Sequence, residues 1–330
     1  MLSHSGFQEY CHTTSDCTLP SIGSLFLNLY SASYIPLFYF LSGFTYKPRY
    51  NAVSRRFMSL MPHYAAWGTL YLLITWGFLV SKSITTAADY IIPILGLLYS
   101  RLSVFPAESP HFQTILPLGA SPLWFLTSLF TSYLLFFLIL KTPYKKTIIL
   151  LYALITWVLS FSPILLPWSL DTAFAGALFI YAGKRIKERG LFICNQGRTW
   201  LLLCLLLPIY IFLTLYNAPV NMFIRQYGTH QWISSFLFLL IGITGSILLC
   251  NFSIILESTR IASALARIGR ISLTLLCSHL LYFRAIELII SQNLPPFCII
   301  TVKIIAAICF AFILKNIIIR IKNSRQKAIS

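Results

Sequence analysis

The strongest constraint on this chain is the recurrence of apolar runs long enough to cross a bilayer. About 20 mainly apolar residues suffice for one helical crossing. Nine stretches qualify, with loose ends: 25–44, 62–80, 122–140, 147–166, 167–183, 199–217, 232–254, 271–291 and 297–319. Only 10% of the residues are charged, against 58% hydrophobic, whereas a soluble domain carries about 25% charged residues. That leaves too little polar surface to cover a water-soluble globule. The expected fold class is all-α, a polytopic membrane helical bundle of about nine transmembrane helices, built as a single domain over residues 1–330. The fifth run is short enough to be tilted or partly interfacial. A tenth, Tyr90–Tyr99, is shorter still and contains Pro93; it reads as a re-entrant or interfacial piece within the loop 81–121.

Charge sets the expected orientation. Basic residues are retained on the cytoplasmic side of membrane proteins. If residues 45–61 are cytoplasmic and the sides alternate, that face collects twenty basic and two acidic residues, leaving five basic and six acidic on the other. The net charge of +17 is thereby explained by topology and calls for no nucleic-acid partner. Residues 1–24 become an outer segment and 320–330 a cytoplasmic tail. His4 then opens the outer segment with no span before it. An even number of helices would let both ends stay inside, so one further helix is expected upstream, ending at Leu2–Ser5.

The spans carry polar residues that hydrocarbon disfavours. Asn28, Ser31, Ser33 and Ser42 lie in the first, where small polar residues pack helices closely or hydrogen-bond between them. Pro36, Pro163, Pro167, Pro208 and Pro295 mark kinks or helix ends. None of the eight cysteines forms a C-x-x-C pair, so no metal site is expected. Cys11 and Cys17 share a polar segment, and a disulfide between them is open if that segment faces an oxidising compartment.

Several residues could carry chemistry. Read alone, His4 is a histidine in an amino-terminal tail. Asp171, near the outer end of its span, could orient an imidazole or bind a sugar hydroxyl, or simply cap its helix. His279 falls in the middle of a span, where an ionisable group is a functional candidate, or is a neutral ring bonded to a neighbouring helix. Arg55 and Arg56 have the geometry to grip phosphate and equally serve as topology charge. Trp124 and Trp168 sit where the interfacial aromatic belt is expected and could also stack on a sugar.

Six stretches in order carry a family resemblance: Leu2-Ser-His-Ser-Gly-Phe7; Ile35-Pro-Leu-Phe-Tyr-Phe-Leu-Ser-Gly-Phe44; Ser54-Arg-Arg-Phe-Met-Ser-Leu-Met-Pro-His-Tyr64; Leu123-Trp-Phe-Leu126; Leu166-Pro-Trp-Ser-Leu-Asp-Thr-Ala173 with Gly183; and Ile268-Gly-Arg-Ile-Ser-Leu273 with His279. As an ordered set they resemble the acyltransferase 3 family of bacterial membrane acyltransferases, and within it the fucose 4-O-acetylase-like proteins. The chain departs from the pattern at Tyr34, where the family has a second histidine, and at Met58 and Ser59, where it has a second arginine. The family's first helix, with its arginine, would precede Met1.

The resemblance implies that His4 is the catalytic histidine, taking the proton of an attacking hydroxyl. It implies that Arg55 and Arg56 bind a cytoplasmic acyl-CoA co-substrate, acetyl-CoA first, and that Asp171, His279, Trp124 and Ser42 support the site or the acceptor. No bound cofactor is expected. The expected partners are membrane lipid, acyl-CoA and a hydroxyl of a surface polysaccharide or lipid-linked glycan, with the chain in the bacterial inner membrane. A non-catalytic transporter or flippase of a lipid-linked glycan would use the same polar-lined bundle and basic face. An inactive, truncated acyltransferase is the third alternative.

Overall fold

The computed structural model describes residues 18–81, 86–100, 121–162, 164–190, 196–289 and 296–329. His4, Cys11 and Cys17 lie outside them. Eleven α-helices occur among the described residues: α1 Thr18–Phe44, α2 Ala52–Ser81, α3 Ala87–Tyr99, α4 Trp124–Lys141, α5 Lys145–Ser160, α6 Leu170–Glu188, α7 Gln196–Asn217, α8 Ser234–Leu256, α9 Arg260–Gly269, α10 Ser272–Ile289 and α11 Pro296–Ile329. The only β-pairing among them is an isolated bridge between Asn221 and Gln226. Each of the nine apolar runs falls on a helix. Five helices are long and apolar enough to cross a membrane by length and composition: Leu25–Phe44, Trp124–Lys141, Trp200–Asn217, Ser234–Leu256 and Cys298–Ile317. A sixth is added if α9 and α10, bent by 74° at their junction, are taken together. The expected count of nine spans is therefore not established. Tyr90–Tyr99 belongs to the short apolar α3, and α11 continues through the segment expected as a tail.

The chain divides into two units, Leu25–Leu256 and a second that carries Glu257 onward. In the larger unit, large apolar side chains cover the outside, and a group of polar side chains is buried among the apolar core. Leu150, Phe212, Leu98 and Leu201 are each at least 60% exposed, while Thr127, Ser128, Ser132, Thr172 and Asp171 are fully buried. Water would not tolerate so much contiguous apolar surface; a lipid solvent favours it.

Close packing is made by glycine. On α1, a Cβ added to Gly43 would stand 1.8 Å from the carbonyl oxygen of Ile180 on α6, and one on Gly183 of α6 would stand 2.0 Å from that of Phe40 on α1. The two backbones therefore touch at two reciprocal points, as small residues allow between helices that have no hydrophobic drive to associate. Gly242 and Gly245 of α8 instead make room for side chains, the Phe179 ring and the Ser33 hydroxyl.

In the second unit, Thr259 caps α9, its Oγ1 accepting from the Ala262 amide at 3.2 Å. Helices α10 and α11 pack through Ile271, Leu275, Phe283, Ala307 and Ala311.

Substitution at the glycine contact should be costly. Overpacking a tight interface costs about 1–3 kcal/mol, so Gly183→Ala is expected to lower the melting temperature of the purified protein in detergent. Gly77→Ala on α2, with nothing within 4 Å of its added Cβ, should leave it unchanged or raise it slightly. Equal behaviour of the two variants would refute the backbone contact.

Candidate functional site

The larger unit has two chemically different ends, joined by the hydroxyl-bearing face of α4. Thr127, Ser128, Thr131 and Ser132 recur at helical spacing and are all buried. Three of them bond back to the preceding turn: Thr127 Oγ1 to the Trp124 carbonyl at 2.8 Å, Thr131 Oγ1 to Thr127 at 2.9 Å and Ser132 Oγ to Ser128 at 2.7 Å. Ser128 reaches outward instead. Its Oγ accepts from the Tyr39 hydroxyl of α1 at 2.7 Å and lies 2.8 Å from Thr172 Oγ1 of α6. Three helices are thus tied by one line of hydroxyls.

At one end of this line sits an ion pair. Asp171, in the first turn of α6, has Oδ2 3.2 Å from Nε of Arg225, and both side chains are essentially excluded from solvent. Arg225 also donates through Nη2 to the Ser162 carbonyl at 2.6 Å. The approach to α6 is unusual. Trp168 and Ser169 both take left-handed backbone, with φ of 53° and 55°; non-glycine residues avoid this region, and it is over-represented at functional sites. Pro167 starts the turn, and the Trp168 carbonyl accepts from Thr131 Oγ1 at 3.1 Å. Ser169, rather than Asp171, occupies the N-cap of α6. Arg225 is presented by the loop after α7, folded on Asn217, whose Nδ2 donates to the Tyr227 carbonyl at 2.6 Å. Gly228, with φ of 151°, lies so close that an added Cβ would meet Asn217 Oδ1 at 2.2 Å. Trp124 is buried here with its ring 5.3 Å from that of Phe223, and Trp168, 39% exposed, donates Nε1 to the Leu98 carbonyl at 3.1 Å.

The other end is cationic. A cleft of about 370 Å³ is lined by Tyr46, Lys47, Arg49, Arg55, Arg56 and Phe137, among others. Arg56 lies over the Tyr133 ring, its guanidinium carbon 4.3 Å from the centroid, and the Tyr133 hydroxyl donates to the Ser42 carbonyl at 2.8 Å. Stacking holds the guanidinium plane in place. Burial raises the pKa of Tyr46 in the turn after α1. Where the resemblance expects a second arginine, Met58 and Ser59 stand; Lys47 and Arg49 add cations from the preceding turn.

The structure therefore groups Arg55, Arg56 and Ser42 at the cationic end and Asp171 and Trp124 at the other. Ser42 takes part through its backbone carbonyl. His279 belongs to the second unit, where it is buried, its Nδ1 3.0 Å and 2.9 Å from the carbonyls of Leu275 and Leu276 one turn back on α10 and its ring 5.5 Å from Phe283. Sequence reasoning missed Arg225, counting it only as a loop charge, and missed Tyr39, Thr172 and Tyr133. The paired hydroxyls Thr127-Ser128 and Thr131-Ser132 in an apolar span were the signal that could have shown α4 as the polar seam.

These features define a multi-pass helical membrane protein with a buried seam of hydroxyls, a buried ion pair at one end and guanidinium groups gathered at the other. The acyltransferase domain pattern of the acyltransferase 3 family matches residues 18–316, and the chain belongs to that family. The matched region begins after His4. No curated protein and no solved structure matches the chain.

The buried pair is open to a thermodynamic test. Removing one partner of a buried ion pair strands the other charge, at a cost of about 3–5 kcal/mol. Arg225→Met is expected to lower the melting temperature in detergent sharply, and the double variant Asp171→Leu/Arg225→Met to recover much of the loss. Strictly additive losses would show that the two side chains are not coupled.

Proposed function

We propose that this chain is a membrane O-acyltransferase that moves an acyl group, acetyl by preference, from cytoplasmic acyl-CoA to a hydroxyl of a cell-surface polysaccharide or lipid-linked glycan. The supporting observation is the guanidinium-bearing cleft at the start of α2 in a chain of an acyltransferase family. In this reading Arg55 and Arg56 grip the phosphates of CoA, with Arg56 pre-set by Tyr133, and the cationic end faces the cytoplasm of a bacterial cell with its inner membrane around the bundle.

His4 accepts the proton of the acceptor hydroxyl as that oxygen attacks the thioester carbonyl. The new O–acyl bond forms, the C–S bond breaks, and the CoA thiolate leaves and takes up a proton. Asp171 is buried against Arg225 and therefore supports the acceptor site through the α6 turn rather than by touching the glycan. Trp168, half-exposed on that turn, offers a face on which a sugar can stack, and the buried Trp124 supports the turn from beneath. His279 supports α10 within the second unit.

The test follows labelled acetyl from acetyl-CoA into glycan in membranes carrying the full chain. His4→Ala is expected to lower kcat about 10²–10⁴-fold, the usual contribution of a positioned base. Arg56→Ala should raise KM for acetyl-CoA about tenfold, as loss of a charged hydrogen bond does. Unchanged acetylation in a normally inserted His4→Ala protein would overturn the catalytic assignment.

A further inference from the structure

We propose that the bundle holds an anionic phospholipid, with its phosphate in the lysine-walled cleft between α5 and α6 and its acyl chains along the exposed face of α5. The cleft encloses about 620 Å³ and is separate from the one at the start of α2. Lys145 and Lys146 enter it from the start of α5, Lys184 and Arg185 from the end of α6. Its one acid, Glu188, is engaged by both Lys184 and Arg185. Among the described residues Lys145 and Lys146 have no acidic partner, so the cleft keeps an excess of positive charge.

What distinguishes a lipid from a soluble anion is the surface that leads away from this charge. Thr147 lines the cleft, and Leu150, Leu151, Leu154 and Val158 follow it on one face of α5 at helical spacing. They are 69%, 44%, 47% and 53% exposed. At 1.5 Å per residue, the stretch from Thr147 to Val158 is roughly 16 Å long, about one leaflet of a hydrocarbon core some 30 Å thick. An inorganic phosphate or a nucleotide would use the cations and leave this stripe idle. A phospholipid uses both, and basic pockets at the cytoplasmic ends of membrane helices suit phosphate headgroups. Tyr144 and Tyr181 flank the charge, where tyrosines commonly sit at the headgroup level.

The experiment uses the purified full chain in neutral detergent, titrated with phosphatidylglycerol or phosphatidylcholine and read by native mass spectrometry. Phosphatidylglycerol is expected to bind at least about tenfold more tightly, and Lys145→Gln/Lys146→Gln to weaken it about 30-fold, at the strength of a juxtamembrane basic residue toward anionic lipid. Binding of phosphatidylcholine should not change. Both lysines are exposed, and an unaltered melting curve in phosphatidylcholine checks the fold. Lys47→Gln/Arg49→Gln, at the other cleft, should leave phosphatidylglycerol binding as it was. Equal affinity for the two lipids, or full retention of phosphatidylglycerol by the double lysine variant, would overturn the proposal. Displacement of the lipid by inorganic phosphate at equal concentration would also overturn it, in favour of a free-anion site.

Discussion

The backbone contact between α1 and α6 is what the larger unit depends on. Gly43 against Ile180 and Gly183 against Phe40 bring the helices together closer than any side chain permits. That approach sets what happens on either side of it. Toward one end it delivers Tyr39 to Ser128, which in turn meets Thr172 one residue beyond Asp171. Toward the other it places the Ser42 carbonyl where Tyr133 can donate to it, and Tyr133 then carries Arg56 on its face. Without the glycines, the hydroxyls on α1, α4 and α6 would be too far apart to pair. In hydrocarbon an unpaired polar group has no water to fall back on and costs several kcal/mol.

The same logic explains why the apolar interior can also hold a seam of polar side chains. Lipid tails are as apolar as leucine, so burying leucine between membrane helices gains little. Hydroxyls that bond back to the preceding turn, as Thr131 and Ser132 do, can occupy an interior at low cost and leave narrow contacts between helices. A buried ion pair is harder to justify by stability alone, since desolvation offsets most of the attraction. Asp171 opens α6 just after the left-handed turn at Trp168–Ser169, and Arg225 lies in the irregular loop after α7. Their pairing, with Arg225 also bonded to the Ser162 carbonyl, ties the loop after α7 to the start of α6.

Much of this was legible in the sequence, for a physical reason. Apolar run length reports directly on lipid solvation, so all nine runs fall on helices. It does not report whether a helix also carries enough polar interior to fail as a free-standing span, and the number of crossings stayed open for that reason. α5 and α6 show the limit: α5 is only 16 residues long, and α6 ends in Lys184, Arg185, Lys187 and Glu188. Asp171 was visible as an acid near the end of a span. Its partner was not, because Arg225 lies 54 positions further along the chain and nothing local marks a loop arginine as buried. Gly183 was visible only as part of a motif, and its meaning needed the backbone of Phe40 opposite.

The two cationic clefts differ in a way that bears on their ligands. At the start of α2 the cations include three arginines, one of them stacked on an aromatic ring. A planar guanidinium held in one orientation presents paired donors and favours a phosphate ester that arrives in a defined pose. Between α5 and α6 the charges free of an acid are lysines on flexible stems. Ammonium groups attract a headgroup without dictating its angle, which suits a molecule whose position is set mainly by its tails. Arginine where a substrate must be aligned, and lysine where a lipid need only be retained, is a division of labour expected if the cationic end serves both a soluble thioester and the surrounding leaflet. It also separates the two roles spatially on α4, where Phe137 lines the first cleft and Leu140, one turn on, lines the second.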